Sequence, residues 1–560
     1  MTIQKNAQSG PARLRVVPLG GLGEIGRNML VLEYGDDIVI IDAGVEFPSS
    51  DMLGVEMVIP NVSYLVHRSD HVKGILITHG HEDHVGALPW VLRDIPAPVY
   101  APRMALEIIR EKLKEHGRLG SADLRVAVAG TPVRLGAFEA EWFSVCHSIP
   151  DAMGIALRTP LGTVIHTGDF KVDHDPVIGE PFDFGRLARL CGDGVFLLLA
   201  DSTYADEEGS SASDRVVADG LYRYVSEASG LVFVASFASQ IARVQIVLDS
   251  ADATGRKVAL LGRSMQNLVR IARELGHLDM PEGVLVPLNE ANSLPDHRVV
   301  FMTTGSQGEP ESALVRLATG EHPEVKLRAG DTVVISATPI PGNETAVYDT
   351  INELARRNVR VITSKGNTVH VHGHAQRDEL RAVLNLARPR YFVPVHGEFR
   401  MLRAHTELAV DQGVAEANVF LITDGQILEL DGKAGRVVGE APAGQIYVHG
   451  LGEWDEAGNV ITERQALSRD GIVTVAVARE RRTGRMVGAP RLNSTGFVHA
   501  NDAPKLVEDT LKQLSTELER AGDDRLELTR FEGLIKSSVG RFLYQRTRRR
   551  PLIVPVIIDV

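Results

Sequence analysis

Six consecutive residues, His79-Gly80-His81-Glu82-Asp83-His84, carry three imidazoles and the Asp83 carboxylate, directly after the apolar run that ends in Ile77-Thr78. Strand alternation aims His79 and His81 the same way, and a turn after them brings in Asp83 and His84. Neutral imidazole and carboxylate suit Zn or Mn, and four such groups exceed what one ion needs while leaving a position for water. A dinuclear site needs ligands from elsewhere, and other strand ends offer them. His147 follows SVC, Asp169 sits in HTGDF just past an apolar strand, and His396 lies in YFVPVHGE. Singly, each reads as a turn or core residue. Together with the first cluster they become ligand candidates, because all the chemistry falls on one kind of strand terminus.

The rest of the chain frames this cluster. At 560 residues, three or four domains are expected. The first 170 residues read as short strands (14–20, 28–35, 37–44, 74–80, 137–148, 162–170), with one helix over 103–115. From about 195 to 365, apolar strands (195–202, 230–239, 257–264, 298–308, 332–339) alternate with helices such as 239–251 and 344–357. That pattern predicts a parallel α/β sheet. Residues 366–430 return to short strands and a helix over 375–387. Residues 431–470 read as a connecting segment without sustained period. The last ~90 residues read as a strand, a helix over 504–521 with Asp502 as N-cap, and a closing strand, a small α+β unit.

Sixty Lys and Arg against 73 Asp and Glu leave a net charge of −13, which argues against a protein that coats nucleic acid through bulk charge. A nuclease gripping one strand in a local cleft remains allowed. No apolar run approaches the ~20 residues of a membrane span, and the polar N-terminus lacks a leader's apolar segment. Two cysteines, Cys146 and Cys191, cannot staple such a chain, and a cytoplasmic location is expected. Gly21, Gly23 and Gly26, with Asp42 downstream, mimic a dinucleotide fingerprint. The stretch after them reads as two strands, not a helix, so that reading fails.

HGHEDH resembles the HxHxDH motif of the metallo-β-lactamase fold, with Asp42, His147, Asp169 and His396 matching its other motifs in order. The resemblance implies that His79, His81 and His147 hold one ion and Asp83, His84 and His396 the other. Asp169 would bridge them, and Asp42 would orient ligands from behind. Between Asp169 and His396 lie 227 positions, enough for a whole inserted domain. This is similar to the β-CASP nucleases, whose motifs A, B and C are matched by Asp201, His374 and His396. A histidine at motif C, in that family, implies RNA. The PLGGLGEIGRN, ADSTYA and SFAS segments and the α+β tail make the resemblance specific to the bacterial ribonuclease J family. In that family's motif B loop, usually SGHA, His372 here replaces the serine, which puts a phosphate contact at that position in doubt.

The fold so implied is α/β: a metallo-β-lactamase αββα sandwich with an inserted parallel α/β β-CASP domain and a small α+β C-terminal domain. The expected bounds are 1–205 and 366–450 for the sandwich, 206–365 for the insert, 451–470 for a linker and 471–560 for the tail. Two divalent ions per subunit, Zn and/or Mn, would activate a water and clamp an in-line displacement at phosphorus. Asp83, His374, Asp201 and Asp42 are the expected catalytic residues, with His374 protonating the departing 3′-oxygen while Asp201 holds its ring. Substrate contacts are expected from Ser236, Phe237 and Ser239 at strand ends of the insert. The loop His370, Val371, His372, Gly373 and His374 is the candidate 5′-monophosphate pocket. The expected partners are single-stranded RNA and a second copy of the chain, a homodimer or tetramer through the tail, with no membrane. The expected activity is 5′→3′ exonucleolytic and endonucleolytic, in mRNA decay and rRNA maturation. Two rivals stand beside this reading. A thioester or lactam hydrolase would not need the insertion or His374, and a non-catalytic scaffold would not need intact ligands.

Overall fold

The computed structural model describes residues 13–49, 51–340, 342–450, 452–455, 460–483, 485–498, 503–521 and 527–560. It separates into two compact units, one spanning the described part of Met1–Phe47 together with Met57–Val448, the other Pro48–Glu56 together with the described part of His449–Val560.

The first unit is built on two mixed sheets. One runs in the order Gly435–Glu440, Gln426–Leu430, Leu14–Gly20, Met29–Tyr34, Asp37–Ile41, Val72–Leu76, Val99–Ala101, Leu124–Val126. The other runs Tyr391–Val395, Val195–Asp201, Gly162–His166, Met153–Thr159, Phe138–Ser144, Val133–Leu135. Successive apolar residues divide between cores, as a period of two demands. Val16, Leu30, Val39 and Ile41 join Trp142, Leu157, Leu197 and Leu199 in a core shared by both sheets. Their neighbours Val17, Val31 and Ile40 face out, onto Met104, Ile108 and Ile109 of the helix Arg103–Glu115. Leu198 and Ala200 face the helices Phe184–Leu190 and Arg377–Ala387. Helix, sheet, sheet and helix therefore stack in four layers.

Between Asp201 and Tyr391 the chain builds a third sheet of parallel strands, ordered Lys257–Leu261, Val299–Thr303, Val232–Ala235, Thr332–Ile335, Arg360–Ile362. Its strands are buried on both faces, as a parallel sheet covered by helices requires. The helices begin slightly later than the sequence suggested, at Ile241 rather than 239 and at Arg377 rather than 375. The delay at Arg377 has a cause. Gln376 and Glu379 form a reciprocal capping box that fixes the first turn.

Glu379 also ties the insert to the sandwich. Its buried carboxylate accepts from Val172 N (2.7 Å), Ser211 N (2.8 Å), Ser211 Oγ (2.6 Å) and Gln376 N (2.8 Å). Those donors lie just past Asp169, on the outgoing crossover, and two residues after His374. One anion thus gathers the three segments that carry the chemistry.

In the second unit, Met486–Thr495, Ile472–Arg479 and Leu552–Asp559 form a sheet in that order, packed on the helices Ala503–Ala521 and Leu528–Thr547. The sequence reading missed the second helix. Phe531, Ile535, Val539 and Leu543 recur every four residues on its buried face, but Gly533, Ser537, Ser538 and Gly540 dilute its helix propensity. The region read as connecting, 431–470, carries the helix Val460–Asp470 and strands including Gly435–Glu440. Asp502, the expected N-cap, lies outside the described residues.

Replacing Glu379 by Ala would leave three partly buried backbone N–H groups without an acceptor. We expect a loss on the order of 3 kcal/mol, measured by urea unfolding of the full chain; an unchanged midpoint would show the clasp to be dispensable.

Candidate metal centre

Every candidate ligand stands just past the end of a strand. The parallel neighbours Asp37–Ile41 and Val72–Leu76 end at Asp42 and at Thr78-His79, and the parallel set Gly162–His166, Val195–Asp201 and Tyr391–Val395 ends at Asp169, Asp201 and His396. Asp42 and His396 leave their strands in the left-handed region, at φ of 60° and 55°. A side chain held there is strained, and such strain gathers at functional sites. Gly44 has no room for a Cβ, because the backbone of Asp83 and His84 runs against it. That contact lets the Ala43 and Val45 N–H groups bond the carbonyls of His84 and Glu82, fixing the loop.

Three donor sets share the Asp169 carboxylate among the described residues, the third being Asp169, Asp201, His374 and His396. His79, His81, His147 and Asp169 make the first, and Asp83, His84, His396 and Asp169 the second; within each set the donor atoms lie within 4.8 Å of one another. His79 Nε2 is 3.0 Å from His81 Nδ1, which is 3.2 Å from His147 Nε2. Tetrahedral coordination at about 2.0–2.1 Å gives ligand spacings close to these. Asp169 Oδ2 lies 3.2 Å from His84 Nε2, 3.6 Å from His79 Nε2 and 3.8 Å from His147 Nε2, while its Oδ1 is 3.1 Å from His396 Nδ1.

Outer hydrogen bonds settle which nitrogens carry lone pairs. His147 Nδ1 faces the Gly373 carbonyl at 2.6 Å, and a carbonyl only accepts, so Nδ1 holds the proton. His84 Nδ1 donates to Asp42 Oδ2 at 2.8 Å. Thr78 Oγ1 donates to the same oxygen at 2.8 Å and so accepts from His79 Nδ1 at 3.0 Å. The Nε2 atoms of His79, His84 and His147 are therefore turned toward Asp169, and those of His79 and His147, whose rings burial keeps neutral, are bare. Bare lone pairs crowded at these distances repel one another unless a cation lies between them. His396 Nε2 is buried with no hydrogen-bond partner, 3.4 Å from Asp83 Oδ2. These residues fit divalent ions.

The electrostatics divide the rings in two: burial opposes the charge of His84 and His396, but Asp169 outweighs it and pushes both well up, toward a charged form that a bound cation would replace. Burial pushes His79 and His147 well below the usual imidazole range and His81 down to about 4, so all three are neutral at pH 7, as metal donors must be. Burial opposes the charge of Asp169 as well, but His396 and His84 outweigh it and keep the carboxyl ionised.

Asp201 and His374 stand beside this group. His374 Nδ1 donates to Asp201 Oδ2 at 2.8 Å, leaving Nε2 free. The other oxygen of Asp201 accepts from Thr203 N at 3.0 Å and Thr203 Oγ1 at 2.8 Å. The His374 ring centroid is 5.0 Å from that of His147 and 5.4 Å from that of His396. Burial works against its charge, yet Asp201 prevails and pushes its pKa up.

The expected substrate residues are placed less closely. Ser236 is buried, with its hydroxyl spent on the Phe237 carbonyl at 3.1 Å. Phe237 and Ser239 are half-buried, as are His370, Val371 and His372, while Gly373 is buried. A Cβ on Gly373 would come within 3 Å of the His147 ring, so the loop's approach needs glycine. Sequence reasoning missed Asn28, whose Nδ2 donates to Asp83 O at 3.0 Å and lies 3.3 Å from His84 Nε2. It also missed Thr203, although a Thr two residues after an Asp signals an Asx turn.

Four family models match the chain. They are the metallo-beta-lactamase superfamily over 22–188, the ribonuclease J beta-CASP domain over 229–354, the Zn-dependent metallo-hydrolase RNA specificity domain over 358–421 and the ribonuclease J C-terminal domain over 459–560. Fold and site together define a metal-dependent hydrolase of the metallo-β-lactamase superfamily carrying a β-CASP insertion. Ribonuclease J 1 of Streptococcus pyogenes is 39% identical over 99% of both chains. Ribonuclease J2 of Bacillus subtilis is 35% identical over 98% of this chain and 99% of its own. Ribonuclease J of Synechocystis is 43% identical over 90% of this chain and 79% of its own. A solved Enterococcus faecalis protein of unknown function shares the fold, with a TM-score of 0.53 and 14% identity over 75% of this chain and all of its own. The chain belongs to the ribonuclease J family and is a hydrolytic, metal-dependent ribonuclease.

Chelator-stripped protein should melt several degrees lower than protein resupplied with Zn or Mn, because a bound ligand stabilises the fold by mass action. Asp169→Asn should abolish most of that gain in calorimetry. An equal gain in the variant would mean the ions bind elsewhere.

Proposed function

We propose that this ribonuclease degrades single-stranded RNA 5′→3′ and also cuts internally, prefers 5′-monophosphate ends, and acts in mRNA decay and rRNA maturation in the cytoplasm. Among the described residues no helix is long and apolar enough to cross a membrane. The observation that carries the reading is the His374–Asp201 pair set against two complete donor sets, which a simple thioester or lactam hydrolase would not require. Intact donor sets likewise weigh against a non-catalytic scaffold.

In this reading two ions, Zn and/or Mn, are held per subunit. His79, His81 and His147 hold one, Asp83, His84 and His396 the other, and Asp169 serves both. Bound there, the pair supplies an activated water and neutralises charge at phosphorus. Asp42 orients His84 and, through Thr78, His79. His374 delivers a proton from Nε2 to the departing 3′-oxygen, and Asp201 fixes its ring and favours its charged form. The RNA 5′ end lies against the 370–374 loop, with Ser236, Phe237 and Ser239 on the insert's side. We take 1–205 and 366–450 as the hydrolase domain, 206–365 as the insert, 451–470 as a linker and 471–560 as the tail.

Self-association through the tail is part of the proposal. Val487 pairs across Ala478 with Ile558, and Val556 pairs with Ala476, so one sheet face carries exposed apolar side chains. Ending the chain near residue 450 should reduce the mass seen by light scattering to that of a single truncated chain; a truncated protein that stays dimeric would give the tail another task.

Single-turnover cleavage of a 5′-monophosphorylated RNA tests the whole. Wild type should cut it with Mn or Zn and stop on chelation. His374→Ala should lose about 10²- to 10⁴-fold in rate while metal content stays near wild type; lost metal would instead make His374 a ligand. A proton donor with a raised pKa works below that value and fails as pH climbs through it. Asp201→Asn should accordingly move the falling limb of the kcat–pH profile to lower pH.

A further inference from the structure

His372 is half-buried in the 370–374 loop, and its surroundings assign it a task of its own. Its Nδ1 faces the carbonyl of His374 at 2.9 Å and must donate to it. Its Nε2 is then an acceptor, placed 3.3 Å from the Gln376 side-chain amide. The ring has no N–H left to offer, and an anionic phosphate needs donors. What the ring does present is a face. It stacks on Tyr204 with centroids 4.1 Å apart and planes 29° apart, and both residues are half-buried rather than sealed in the core.

The pair is firmly seated. Tyr204 follows the Asp201–Thr203 turn, and its backbone bridges that of Gln376, whose N–H is held by Glu379. The Tyr204 ring lies 6.2 Å from the ring of His374. If His374 protonates a 3′-oxygen, as proposed above and on which this step rests, the ribose bearing that oxygen also bears a base. That base lies one sugar away from His374, on a scale the aromatic pair can meet.

We propose that Tyr204 and His372 form a stacking platform for the nucleobase of the leaving nucleotide, the one immediately 5′ of the scissile bond. Every base has a π face, so the platform grips without reading sequence. Recognition of a 5′-phosphate then falls to other groups. The ring thus supplies a base contact that is independent of the phosphate.

The test uses the full-length, metal-loaded protein and 5′-monophosphorylated single-stranded RNA whose first nucleotide either carries its base or is abasic. Release of that nucleotide in a single turnover should be about 5- to 100-fold slower for the abasic strand, the range of one base–aromatic stack. His372→Ala should bring the two substrates within about twofold of each other, again by the stacking range removed. His372→Phe, which keeps a ring and discards both nitrogens, should preserve the difference. The rate ratio between 5′-phosphate and 5′-hydroxyl RNA should be the same in His372→Ala as in wild type. Equal rates on both strands in the wild type would overturn the platform alone. A His372→Ala variant that loses phosphate preference would overturn it too, by making His372 a phosphate ligand. RNA left uncut by wild type would sink the ribonuclease reading and this inference with it.

Discussion

The Asp169 carboxylate faces four imidazole nitrogens at 3.1–3.8 Å in a buried setting, and the site is organised around that meeting. Each of those rings except His396 is fixed from behind by a hydrogen bond at Nδ1 that turns Nε2 inward. Bare imidazoles around one anion are a poor arrangement in a dry interior and a good one around divalent cations. The cost appears in the backbone, where Asp42 and His396 hold left-handed conformations.

The sandwich exists to bring strand ends to that point. Because Gly162–His166, Val195–Asp201 and Tyr391–Val395 are parallel neighbours, their three acidic or imidazole termini emerge side by side although the last is far along the chain. The other sheet delivers Asp42 and the His79–His84 turn from the opposite side of a shared core. The inserted sheet enters and leaves between two of these adjacent strands, and Glu379 ties both crossovers to the segment after Asp169. An insertion of this size is tolerated because its ends are adjacent in the parent sheet and clasped by one anion. The same clasp supports the stacked Tyr204–His372 pair through the backbone of Gln376.

Much of this was legible one-dimensionally because ligands of this type cluster at strand termini and strands announce themselves by period. The helix Arg103–Glu115 and the strand Leu14–Gly20 fall where their patterns place them. The helix Leu528–Thr547 did not, since its glycines and serines weaken a propensity that packing on Val473 and Val475 restores. Asn28 was invisible for another reason. An asparagine after a glycine-rich turn has no signature of its own, and its role comes from Gly44 allowing the Asp83–His84 backbone to lie alongside.

Residue type and spacing by themselves determined the donor chemistry, the strand-end placement and the need for an inserted domain. Those features are local, set by alternation within a strand and by the length between motifs. Only the folded chain decided which nitrogen of each ring turns inward, and that His372 has spent its one N–H and offers a face instead. Those choices depend on partners from 42 to 226 positions away for His84 and His147, and no sequence window contains them.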